Sequence, residues 1–400
     1  MKANGKVAEK LGLHVTLRWR PAWHAGCSVS DARRRVSGKE VDAWLATAFG
    51  DAFLPLRSAQ RRRKYSAARD NTGRGERDMR ALLLAGVGVF ALGGAAFAND
   101  TGGGSTGPRG YMDHYAAALG VNIGQVAGNR SSTGWGQAAS VGMTGSFQVR
   151  SGVMNVNQNA GANAMQQNAV AIAYVEGCNC EVGFRRGDGD ANTVAVNAGA
   201  VGGRRGGNES DNIFGTSADA GMNDSFGSSV GIAQVNQNAG ANSLQQNATA
   251  VAYVDRLSGE RQTRDAWAIS ANIGTVTGSG NDSNDYRHAA TANIAASFGS
   301  FTGVANVNQN AGANSLQQNS AALSAVEFCN CATRDLSTTI AAAGNVGSVT
   351  YNRADADFGS ARAGMTGSFN GGTGIAQVNQ NAGANSLMQN SVAVGAVYNR

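Results

Sequence analysis

Between Gly231 and Val254 the chain reads GIAQVNQNAGANSLQQNATAVAYV, and alternate positions fall into two sets. Ala233, Val235 and Gln237 share one face of an extended chain, while Ile232, Gln234, Asn236 and Asn238 share the other. The alternation stops at Ala239-Gly240-Ala241-Asn242, where Gly offers unusual φ values and Asn tolerates the left-handed region. A second extended run, Ser243–Val254, closes with Val and Tyr. The pattern predicts a strand, an arch and a second strand. A helix is the competing assignment, because Ala, Leu and Gln are good helix formers. Against it stand the central Gly and Asn and the lack of any i,i+4 charge pair.

The same words occur four times, as NVNQNAGANAMQQN from Asn155, QVNQNAGANSLQQN from Gln234, NVNQNAGANSLQQN from Asn306 and QVNQNAGANSLMQN from Gln377. Their central asparagines are Asn157, Asn236, Asn308 and Asn379, spaced by 79, 72 and 71 residues. Ten residues earlier in each copy stands a phenylalanine: Phe147, Phe226, Phe298 and Phe369. A weaker word, VNIGQV in its first copy, carries Asn122, Asn197, Asn272 and Asn345. Each unit of about 72 residues therefore divides into two halves of about 36. Self-similarity at a fixed period marks a stacked repeat architecture. The expected units are 117–180, 192–257, 266–331 and 339–400.

Repeated, uncharged amides have a physical use. In parallel strands stacked in register ~4.7–4.8 Å apart, each Asn or Gln amide can donate to one neighbour and accept from the other. Buried singly, such an amide costs ~1–3 kcal/mol. The expected self-assembly ladder comprises Asn157, Asn159, Asn163 and Gln166; Asn236, Asn238, Asn242 and Gln245; Asn308, Asn310, Asn314 and Gln317; and Asn379, Asn381 and Asn385. Gly161, Gly240, Gly312 and Gly383 are the expected turn residues. The motif holds neither proline, which would remove ladder N–H groups, nor charge, which would repel its own copies. The fold class expected is all-β, a stacked β-arch solenoid of four repeats with one or two rungs each, behind a disordered or weakly ordered N-terminal extension.

Charge separates the chain into two parts. Residues 1–98 hold 18 Lys+Arg against 8 Asp+Glu, and residues 99–400 hold 15 against 19, so the basic excess is entirely upstream. A nucleic-acid partner inferred from the whole-chain charge would be an artefact of averaging. MRALLLAGVGVFALGGAAFA, residues 79–98, joins an Arg start to an apolar run and a small-x-small ending. It reads as a signal peptide cleaved near Ala98, with an uncleaved membrane anchor as the alternative. Residues 1–78 read as an upstream extension from a mis-set start, or else a basic segment, and 99–116 as a Gly-rich linker. The mature chain is expected to be secreted, without stable membrane insertion.

Cys178-Asn179-Cys180 and Cys329-Asn330-Cys331 each begin 21 residues after their unit's central Asn. In an oxidising compartment these four cysteines are candidates for disulfides, within a triplet or between chains. A soft-metal site and free thiols are the alternatives. GDGD at 187–190 and NDSND at 281–285 carry calcium-loop chemistry without the rest of such a loop, and are expected to be a turn and a spacer. His14, His24, His114 and His288 are scattered. No nucleophile with a base can be assembled from them, so no catalytic residue, cofactor or metal ligand is assigned and an enzyme is not expected.

The mature chain, from about Ala117 to Arg400, resembles bacterial functional amyloid subunits, the Fap fibre subunits most closely and the curli subunits more distantly. The resemblance rests on export, on Gly/Ala/Asn/Gln-rich imperfect repeats with N-x-x-A-G-x-N and Q-x-N words, and on less regular linkers. Gln237, Ala239 and Asn242 also fit a curlin-like Gln-x-small-x-x-Asn. Fap fibre subunits typically carry three repeats and Cys-x-x-Cys, where this chain has four repeats and Cys-x-Cys. The resemblance implies a biofilm or cell-surface fibre subunit, with a nucleator subunit and an outer-membrane secretion pore as partners. Independently, the fourth copy is as faithful as the second and only 21 residues follow Asn379, which predicts an uncapped edge and linear homopolymers. A monomeric β-solenoid adhesin or ligand-binding surface protein is the alternative.

Overall fold

The computed structural model describes residues 111–133, 136–175, 186–202, 208–212, 216–255, 261–286, 288–328, 334–357 and 359–399. Residues 1–110 lie outside that set, with the expected extension and signal peptide, as do Cys178, Cys180, Cys329 and Cys331.

The described chain is all β. The first repeat contributes β1 (Tyr111–Val126), β2 (Arg130–Thr133), β3 (Ala138–Thr144), β4 (Ser151–Asn159) and β5 (Met165–Val175). The second contributes β6 (Arg186–Val201), β7 (Glu209–Asn212), β8 (Ser217–Asn223), β9 (Val230–Asn238) and β10 (Leu244–Val254). In the third, β11 (Arg261–Tyr286) runs through the equivalents of β6 and β7, followed by β12 (Ala289–Ala295), β13 (Thr302–Asn310) and β14 (Leu316–Phe328). The fourth repeats this with β15 (Arg334–Asp357), β16 (Ser360–Thr366), β17 (Thr373–Asn381) and β18 (Leu387–Asn399).

Every strand pairs in parallel with its counterpart in the next repeat, so one repeat makes one rung and the rungs follow chain order. Sheet 1 contains β1, β6, β11 and β15, with β2 and β7 on its continuation; sheet 2 is β3-β8-β12-β16; sheet 3 is β4-β9-β13-β17; sheet 4 is β5-β10-β14-β18. Identical words in each repeat dictate this register, because a slip of one residue would turn every buried side chain outward. The two half-units do not stack on each other, as the 36-residue spacing suggested. They face each other inside one rung: Asn122 Nδ2 donates to Asn168 O at 2.6 Å, between sheets 1 and 4.

In cross-section the sheets lie in the order 1, 4, 3, 2. Alanines of sheets 1 and 4, including Ala191, Ala195, Ala250 and Ala268, fill the first interface. Met222 and Ile294 of sheet 2 pack on Val235 and Val307 of sheet 3 with Phe226 and Phe298. Thus the core consists of thin columns running along the stack, each closed by the rung above and the rung below. That explains how a chain with 6% aromatics fills its interior.

Strand structure extends further than the charge pattern suggested. β1 begins at Tyr111, inside the segment read as linker. GDGD lies in β6, paired with β1 and β11, and is not a turn. NDSND lies in β11, paired with β7 and β15, and is not a spacer. Backbone hydrogen bonds to the neighbouring rungs hold such residues in the sheet.

Candidate functional site

β4, residues 160–164 and β5 form an arch, and the three following rungs repeat it. The space between sheets 3 and 4 is filled by carboxamides. Asn236 Nδ2 donates to Asn157 Oδ1 at 3.1 Å, Asn308 to Asn236 at 3.0 Å, and Asn379 to Asn308 at 3.0 Å. A facing column from sheet 4 interlocks with it: Asn247 Nδ2 reaches Asn236 Oδ1 at 2.9 Å and Asn319 Nδ2 reaches Asn308 Oδ1 at 3.0 Å. Asn236, Asn247, Asn308 and Asn319 are fully buried. The neighbouring rung satisfies each amide, and this offsets its desolvation.

Asn159, Asn238, Asn310 and Asn381 form a second ladder with three steps of 2.8 Å. All four of these amides also clamp their own arches, donating to Gly161 O, Gly240 O, Gly312 O and Gly383 O. Gln166, Gln245 and Gln317 form a third column with steps of 2.8 Å, donating in the opposite direction along the stack. Met388 occupies the fourth position and ends it.

Two expectations need correction. Asn163, Asn242, Asn314 and Asn385 form no ladder. Their φ values of 50–55° place them in the left-handed region, which swings the side chain out of the pleat. Instead Asn163 Nδ2 donates to Glu209 O, Asn242 Nδ2 to Asp282 O and Asn314 Nδ2 to Arg353 O, each on the following rung. The arch glycines, in turn, have no positive φ. Their role is close approach: a Cβ on Gly161, Gly240 or Gly312 would lie 1.8–1.9 Å from the glycine carbonyl oxygen of the next rung.

Further columns escaped the sequence reading. Gln158, Gln237, Gln309 and Gln380 form one, at 3.3, 3.1 and 2.7 Å. Gln167, Gln246, Gln318 and Gln389 form another, at 2.7, 2.7 and 2.6 Å. Asn168, Asn247, Asn319 and Asn390 stack at 3.1–3.2 Å, and Asn122, Asn197, Asn272 and Asn345 at 2.8–3.0 Å. Identity at one register position in all four copies is the signal that would have found them. Asn155, Gln234, Asn306 and Gln377 illustrate the converse. Unequal side chains do not stack: Gln234 and Asn306 both donate to Thr249 Oγ1, leaving buried oxygens of Gln234, Asn306 and Gln377 without a partner.

The phenylalanines also stack. Ring centroids of Phe147, Phe226, Phe298 and Phe369 succeed one another at 5.0, 4.7 and 4.6 Å with planes within 7°. All four have φ between 54° and 61°, rare for a bulky residue, and are held there by the repeated bend.

Among the described residues, no group of three or more His, Cys, Asp and Glu is placed to hold a metal, and no helix is long and apolar enough to cross a membrane. His288 Nδ1 shares a hydrogen bond of 2.8 Å with Thr216 Oγ1. Burial and a hydrogen bond to Glu327 push the Tyr253 phenol well above its usual range.

The first and fourth rungs have no strand on their outer sides among the described residues. Apolar side chains whose counterparts are covered in inner rungs are open there, for example Ile172 and Tyr174 at one end and Leu387 and Val394 at the other. The sequence profile of the functional amyloid protein FapB/FapC family matches residues 198–397, half of the chain, spanning the last three arches. No curated protein and no solved structure gave a match. By that match, over rungs joined through in-register carboxamide columns, the chain belongs to the functional amyloid protein FapB/FapC family.

Proposed function

We propose that this chain is an exported fibre subunit whose copies add end to end, the fourth rung of one copy against the first rung of the next. The product is an amyloid-like extracellular fibre serving biofilm matrix or surface adhesion. Signal-peptide cleavage near Ala98, a nucleator subunit and an outer-membrane pore belong to the same proposal. The Asn and Gln ladders named here serve as the joint as well as the interior.

The observation carrying this reading is the hydrogen-bond polarity of the stack. In five columns the amides donate from the later rung to the earlier one, as Asn379 to Asn308 and Gln380 to Gln309 do. Asn236, Asn308 and Asn379 also donate to the backbone oxygens of Gln167, Gln246 and Gln318, which fixes which way each amide points. These five columns turn carbonyl oxygens outward at the fourth rung and N–H groups outward at the first, while the Gln166 and Asn122 columns run the other way, so that position by position a donor on one edge meets an acceptor on the other. These two edges complement each other, and neither complements itself. Such a head-to-tail contact does not close, so it builds filaments.

Gly383 supplies the test. A Cβ there meets nothing closer than Asn381 Oδ1 at 3.6 Å, whereas its inner-rung equivalents would strike backbone. Gly383→Ala should leave a β-rich solenoid by circular dichroism and abolish seeded elongation, while Gly142→Ala, with open space around it, should elongate normally. Wild-type elongation by Gly383→Ala would overturn the end-to-end joint.

A further inference from the structure

Met388 stands where the other three copies carry glutamine. The register of sheet 4 aligns it with Gln317, Gln245 and Gln166. Each glutamine of this column has two side-chain N–H groups to place. Gln166 gives one to Gln158 O and the other to Gln245 Oε1, both at 2.8 Å. Gln245 does the same with Gln237 O at 2.9 Å and Gln317 Oε1 at 2.8 Å. Gln317 gives one to Gln309 O at 2.9 Å and has, among the described residues, no oxygen for the other. Its side chain is fully buried, so water does not take that place. The direction of the column turns the second N–H toward the fourth rung, where the thioether of Met388 is only a weak acceptor.

We propose that Met388 is a modification site, oxidised by hydrogen peroxide to the sulfoxide, whose oxygen accepts from Gln317 and carries the column into the fourth rung. A lone pair on the sulfur attacks one peroxide oxygen, the S–O bond forms as the O–O bond breaks, and the departing hydroxide takes the proton of the transferred oxygen to leave as water. Sulfur is oxidised by two electrons and the peroxide is reduced. The product matches the column in shape. Its oxygen is borne on the atom after Cγ, as Oε1 of glutamine is, and a methyl group takes the place of the amide nitrogen. The proposal concerns a single copy and does not depend on the end-to-end joint. Where copies join, the fourth rung is covered, so the reaction belongs to the free chain and the filament tip.

Surroundings set Met388 apart from the other methionines of the described residues. Met154, Met165 and Met222 are buried, and Met143 and Met365 pack against the apolar cluster of Ile294 and Phe298. A sulfoxide there would set a polar oxygen among hydrocarbon, the ordinary way in which methionine oxidation disrupts a core. Met388 is half-buried, and no strand covers its outer side among the described residues. Oxidation at this position therefore tightens the stack, whereas at the others it loosens it.

The test treats the full chain with hydrogen peroxide, locates the added oxygen by peptide mass mapping, and follows amide hydrogen exchange in β18. Met388→Leu, treated in parallel, reports the effect of every other methionine. The wild-type chain should gain oxygen at Met388 and exchange about 2- to 10-fold more slowly in β18, the range given by one added hydrogen bond. Met388→Leu should show no slowing. Enzymatic reduction of the sulfoxide should restore the original rate, and this comparison needs no substitution. Unchanged or faster exchange in the oxidised wild-type chain, equal slowing in Met388→Leu, or a Met388 left unoxidised while Met143 and Met365 react would each overturn the assignment. Slower exchange in untreated Met388→Gln beside unchanged exchange in the oxidised wild-type chain would overturn the sulfoxide as acceptor and leave the column itself standing.

Discussion

Asn308 donates its side-chain N–H to Asn236 Oδ1 across 3.0 Å, one rung and 72 residues away. The same Nδ2 also meets Asn247 Oδ1 at 3.0 Å and Gln246 O at 3.1 Å. It is an amide surrounded by acceptors and shut off from water, and it has no room for a charge.

Replacing Asn157, Asn236, Asn308 and Asn379 together by Asp is therefore expected to slow fibre growth strongly at neutral pH. Burial among oxygens raises the pKa of a carboxyl group above the unfolded value of about 3.9. Ordered structure gains from the neutral acid, so its stability is present below that value and is lost as pH rises through the folded pKa. Thioflavin-monitored growth should recover substantially at about pH 3. Equal slowing at neutral and acid pH would show that these side chains are not stacked inside.

Phe298 lies between Phe226 and Phe369 and is fully buried. Phe298→Ala should cost on the order of 3–5 kcal/mol, the range for truncating a core aromatic. Guanidinium unfolding of the soluble chain measures it. A loss below about 1 kcal/mol, the scale of an ordinary surface change, would mean the column carries little of the stability.

Tyr253 stacks on Tyr174 at 5.4 Å and donates to Glu327 Oε2 at 2.5 Å. Burial first, and Glu327 second, hold the phenol protonated. The unfolded chain ionises near pH 10 while the folded chain does not. Stability is accordingly complete below that pH and falls as pH rises beyond it. Tyr253→Phe should flatten this alkaline decline, followed by circular dichroism between pH 9 and about 12. An unchanged slope would refute the assignment.

Met388 interrupts the Gln166, Gln245, Gln317 column at the fourth rung. Met388→Gln gives Gln317 a partner like those its neighbours have. A gain of about 0.5–1.5 kcal/mol in the fourth rung is expected, the net worth of one hydrogen bond. Slower amide hydrogen exchange in β18 is the measurement. Exchange as fast as in the parent chain would show that the column does not extend.

How far the sequence could be read depended on whether a feature was periodic. Four copies of VNQN and AGAN sufficed for strand, arch and strand, because alternation at period two is local and the repeat makes it redundant. The columns of Asn157 and Asn159 followed from identity across copies. Asn163 and its equivalents were misassigned because identity across copies does not reveal φ: a conserved turn residue and a ladder residue look alike until the backbone is traced. Gln158 and Gln167 lie on the strand faces opposite Asn157 and Gln166, and Asn168 shares the face of Gln166; identity at one register position in every copy marks all three columns equally.

The sequence alone determined the all-β character, the repeat and its register, for these come from side-chain patterning and from the penalty for unmatched amides. Only the tertiary structure decided that each repeat is a single rung, that its halves face each other as sheets 1 and 4, and that the arch glycines are required by neighbouring carbonyls. The reason is physical. Local alternation specifies a strand and its faces, while the partner of each face, and the distance to the chain above it, depend on contacts about 72 residues away, which only the folded stack brings together.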